Sequence, residues 1–89
     1  MAYRHKYSAT VWCDSCTQPR DAARMALEWV AETITMLESE SGRDVELACD
    51  ADELEKQAES CAKQGGGVVV RAEWDEGAQL KAWAETAGQ

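Results

Sequence analysis

Apolar residues recur every three or four positions between Pro19 and Gly42, in the run PRDAARMALEWVAETITMLESESG. That spacing puts Ala23, Leu27, Val30, Ile34 and Leu37 on one face of a long helix. Ala22, Ala26, Trp29, Thr33 and Met36 lie beside them and widen the face into a stripe. Pro19 suits the first turn, where its missing N–H costs nothing, and Thr17 or Gln18 falls near the N-cap. Gly42 supplies the left-handed stop.

On either side of this helix the period changes to two. Residues 3–12, YRHKYSATVW, alternate, with Tyr3, His5, Tyr7, Ala9 and Val11 inward and Arg4, Lys6, Ser8, Thr10 and Trp12 outward. Residues 43–49, RDVELAC, alternate again, with Val45, Leu47 and Cys49 on one side. Residues 68–74, VVVRAEW, form the most β-branched stretch and set Val68, Val70, Ala72 and Trp74 on one face. Between the last two strands, Asp50 opens a second helix with Glu53 three residues on, and Ala51, Leu54, Ala58 and Cys61 form a thin stripe. Gly65, Gly66 and Gly67 end that helix as a flexible turn. Ala78–Ala87 reads as a short third helix with Leu80, Trp83, Ala84 and Ala87 inward. The order expected is β-α-β-α-β-α: an α+β (or small α/β) two-layer sandwich, its three-stranded sheet covered by helices. At 89 residues the chain makes one domain, residues 1–89.

Charge sharpens this picture. The net charge is −8, from 17 acidic and 9 basic residues. Ten of the acids fall between Ala26 and Glu55 with Arg43 as the one base, so this block holds most of the negative field. Such a field repels nucleic acid and membranes and attracts basic surfaces. No apolar run approaches the ~20 residues of a membrane span. The start MAYRHKYSAT lacks the apolar core of a secretory signal. A cytoplasmic setting with mostly reduced cysteines is the expectation.

Cys13 and Cys16 are the candidate chemistry. A Cys-x-x-Cys between a strand and a helix N-terminus is a place where a helix dipole stabilises a thiolate. The segment Trp12-Cys13-Asp14-Ser15-Cys16 resembles the WCxxC active site of thioredoxin- and glutaredoxin-like proteins. The resemblance implies Cys13 as attacking thiolate and Cys16 as resolving thiol. It covers five residues, and this chain's single proline, Pro19, is not placed where that family keeps its cis-proline. Zinc needs four ligands. Cys13, Cys16 and Cys49 offer three, Cys61 and His5 point elsewhere, and no metal or other cofactor is expected.

The leading functional expectation is a non-enzymatic interaction protein that binds a basic, nucleic-acid-binding partner surface and blocks it. Small acidic inhibitors of phages and mobile elements, some anti-CRISPR proteins among them, are similar in size and charge. Glu28, Glu32, Asp50, Asp52, Glu53 and Glu55 are the residues expected to meet the partner. Trp12, on the outward face of the first strand, is a candidate anchor. The alternative is the thiol–disulfide module of Cys13 and Cys16. A third reading is a homodimer that joins through a strand edge or the Trp12 face.

Overall fold

The computed structural model describes residues 4–88 and is α+β, with two helices packed on one face of an open four-stranded sheet. The elements are β1 (His5–Trp12), α1 (Pro19–Ser41), β2 (Glu46–Leu47), α2 (Ala51–Gly65), β3 (Gly67–Trp74) and β4 (Gln79–Thr86). The sheet order is β1-β3-β4-β2. β3 lies antiparallel to both β1 and β4, and β2 lies parallel to β4.

Two expectations are corrected. The sheet has four strands, not three, and the chain ends in a strand rather than a third helix. Residues 79–86 alternate with period two: Leu80, Ala82 and Ala84 are buried, while Lys81 and Glu85 are exposed. The second strand is also shorter than 43–49. It covers two residues, and Cys49 lies beyond it, exposed. Of the inward residues named for β1, Tyr3 lies outside the described residues.

The core sits between the layers. Val30 and Leu37 of α1 and Leu54, Ala58 and Ala62 of α2 meet Val68, Val70, Ala72, Trp74 and Leu80 of the sheet. Alanines dominate the helix side of this contact, with Ala22, Ala23, Ala26 and Ala58 at 0% exposure. Small side chains let the helices approach closely, so a single added methyl is felt. Thr33, the one buried polar residue among those described, donates its hydroxyl to the Trp29 carbonyl at 2.8 Å. The α1 cap follows the expected pattern. Gln18 N donates to Asp21 Oδ2 at 3.3 Å, and Gly42 takes φ +70°. Asp50 caps α2 by accepting the Asp52 N–H at 2.9 Å rather than that of Glu53.

The sheet register fixes directions. β1 and β4 run the same way and β3 runs opposite. α1 begins near the end of β1, and α2 ends one residue before the start of β3, which pairs with that same end. The two helices therefore run antiparallel. The C-terminal half of α1, the first turns of α2 and the β3–β4 turn share one end of the molecule. In that turn Glu76 adopts a left-handed φ of 68°. The His5 Nε2 atom at 3.0 Å from its carboxylate and the Arg43 Nη2 atom at 2.6 Å from its carbonyl hold it there. Among the described residues no helix is long and apolar enough to cross a membrane.

Candidate functional site

Residues 19–65, the two helices with their connection through β2, carry twelve acidic and five basic residues. Glu28 and Glu32 are exposed on the outer side of α1. Asp50, Asp52 and Glu53 are exposed at the start of α2, and Glu55 is half-buried. Because the helices are antiparallel, the acids that follow Glu28 on α1 and those at the α2 start fall toward the same end. Glu38 is occupied there: its Oε2 accepts the Val45 N–H at 3.0 Å. Arg43, the one base between Ala26 and Glu55, is tied to the Glu76 carbonyl. Asp52 and Glu53 also lie where the α2 dipole favours negative charge, so they form at little cost to the fold.

Cys13 and Cys16 come to the other end of the molecule, at the mouth of α1. Cys13 is half-buried, and its N–H donates to the Gly66 carbonyl at 2.9 Å. Cys16 is exposed, and both are free thiols, as are Cys49 and Cys61. The loop between them is organised by Asp14. Its Oδ1 accepts the N–H groups of Cys16 and Thr17, each at 2.8 Å, and these bonds hold its carboxyl below the usual range. Two of the loop's backbone donors, the N–H groups of Cys16 and Thr17, are thus already taken by a carboxylate rather than left for a thiolate. Cys61 lies far along α2, half-buried, with its thiol pushed up by burial and then by the Glu85 charge. Among the described residues, no three His, Cys, Asp or Glu side chains come together as a metal site.

The sheet's second face carries no helix. It presents Arg4, Lys6, Arg71 and Lys81 against Glu46, Glu73 and Glu85, together with Ser8, Thr10, Val69 and two tryptophans. The register aligns Lys6, Glu73 and Lys81 across three strands. Glu85 accepts the Trp83 Nε1–H at 2.7 Å and the Arg71 Nε–H at 3.1 Å, and these bonds hold its carboxyl low. Lys6, Ser8, Arg71 and Trp83 line a shallow hollow of about 230 Å³ on this face. Trp12 stands further along the same face, at the end of β1, 57% exposed.

Trp12 is therefore where the alternation of β1 put it. Trp83 is not: expected inward on a helix, it lies on the open face of β4. The period-two pattern of Leu80, Ala82 and Ala84 was the signal that could have placed it. No protein family, no curated protein and no solved structure matches this chain.

Proposed function

We propose that this chain is a non-enzymatic interaction protein whose acidic helical layer docks on a basic protein surface and blocks it, in the manner of a nucleic-acid mimic. The observation that carries the reading is the antiparallel pairing of α1 and α2. It gathers one acidic run of sequence toward one end, with its single base, Arg43, engaged by the Glu76 carbonyl. A partner with a cationic groove would be steered to that end by long-range attraction and held by short-range pairs. Glu28, Glu32, Asp50, Asp52, Glu53 and Glu55 are the contact residues of this proposal.

A deca-arginine peptide serves as the probe. The triple variant Glu32→Lys, Asp52→Lys, Glu53→Lys weakens its binding by about tenfold or more, on the order of 0.5 kcal/mol per reversed charge. The slope of affinity against salt flattens in the same variant. Isothermal titration at two salt concentrations reads both. Unchanged affinity in the triple variant would show that this surface is not the one used.

A further inference from the structure

β1 is the outermost strand of the sheet, and its eight residues pair on one side alone. The Cys13 N–H to Gly66 carbonyl bond continues the β1–β3 register by one step. In an antiparallel ladder, residues alternate between directing their backbone groups to the neighbour and away from it. The odd-numbered residues of β1 thus face β3, and Lys6, Ser8, Thr10 and Trp12 direct their N–H and C=O groups outward. No described element pairs with this edge. From Tyr7 to Trp12 it carries no charge, proline or bulge, the usual devices that keep edge strands apart.

The flank of α1 above this edge carries two exposed methionines, Met25 and Met36, beside Trp29 and Glu40. Glu38 lies on the flank toward β2, since it binds Val45 N. Glu40, two residues on, lies on the opposite flank. There its charge adds to burial in raising the Tyr7 phenol of β1. Trp29, Met36 and Met25 share the Glu40 flank by helical rotation. Trp12, Met25 and Met36 are the exposed large hydrophobics among the described residues, at 57%, 49% and 39%. Met25 and Met36 share this flank of α1, whereas the Trp12 ring stands on the helix-free face at the end of β1, over Gly67.

We propose that two copies of this chain join through the β1 edge, antiparallel about a two-fold axis at Ser8, making one continuous sheet. The register that uses the whole strand sets Ser8 opposite Ser8 of the second copy. Lys6 then faces the second copy's Thr10, and Arg4 faces the second copy's Trp12. Both cations lie at the start of the strand, so antiparallel pairing opposes no cation to another. Parallel pairing would stack the cations. α1 lies over β1 and β3. With strands about 4.8 Å apart, the two α1 axes come about 10 Å apart, a normal helix-packing distance. Met25, Trp29 and Met36 of both copies fill that gap. This assembly stands apart from the acidic-surface reading and leaves the α2 start exposed.

Sedimentation equilibrium over micromolar to millimolar concentration tests it. The wild-type chain sediments at about twice its 9.8 kDa. Ser8→Lys sets two ammonium groups face to face at the axis, and Met36→Lys places charge between the helices. Each raises the dimer dissociation constant by about tenfold or more. Both substitutions are at exposed positions, and unchanged far-UV circular dichroism confirms that the fold survives. A wild-type chain that stays at 9.8 kDa throughout overturns the proposal. So does a dimer that persists in both variants, or a polymer in place of a dimer.

Discussion

Trp12 holds its place because two glycines make room for it. A Cβ at Gly67 would lie 2.9 Å from Trp12 Cε3 and 2.9 Å from the Val11 carbonyl, and one at Gly88 would lie 3.2 Å from the ring. The triple glycine reads in sequence as one flexible turn, yet its members have separate tasks. Gly66 takes the left-handed φ of 70° that ends α2, whereas Gly67 clears space beneath an indole. Gly67→Ala is predicted to cost about 1–3 kcal/mol, read as a lower urea midpoint at unchanged slope. Asp14 is the other residue whose role the sequence hid, because an acid in a Cys-x-x-Cys loop reads as a spacer. Its carboxyl titrates below its unfolded value, so it stabilises the fold above that value. The contribution is lost as pH falls through the depressed folded value. Thermal melts from pH 6 to about pH 2 should show a shallower acid decline in Asp14→Asn than in wild type. An identical decline would mean the loop does not feel this charge.

Among the elements, α1, α2, β1 and β3 were legible because each has a sustained period of one kind. Ala22, Ala23, Ala26, Val30, Thr33 and Leu37 are buried as the stripe required, while Met36 at its margin is 39% exposed. Leu37→Ala is predicted to cost about 2–5 kcal/mol. Met36→Ala should cost far less in the isolated chain, and urea denaturation separates the two. β4 was misread for a physical reason. Gln79–Thr86 is rich in Ala, Leu, Lys, Gln and Glu, all helix formers, and Leu80, Trp83, Ala84 and Ala87 also fit a helical spacing. Pairing with β3 over seven residues decided the outcome, since strand propensity is mostly a matter of what a residue packs against. β2 was overextended because alternation alone does not say where a ladder ends. Its partner turned out to be β4, which had not been read as a strand.

At the scale of the whole molecule, charge is divided between the layers. The helices and their connections are strongly acidic, and the open sheet face has four cations against three carboxylates, Glu46, Glu73 and Glu85. The acidic run was visible in the sequence. Its gathering toward one end was not, since that depends on α1 and α2 running antiparallel. The same self-repulsion predicts that moderate salt raises the melting temperature, as screening relieves crowded carboxylates. A melting temperature that falls with salt would point instead to attractive pairs dominating. The central claim is that a cationic surface docks on the acidic helical layer, and its most direct test is a map of that contact. Backbone amide shifts of labelled protein titrated with deca-arginine should move at Glu28, Glu32 and Asp50–Glu55 and stay still at Lys6, Arg71 and Lys81. Shifts concentrated on the sheet face, or spread evenly over the chain, would contradict it.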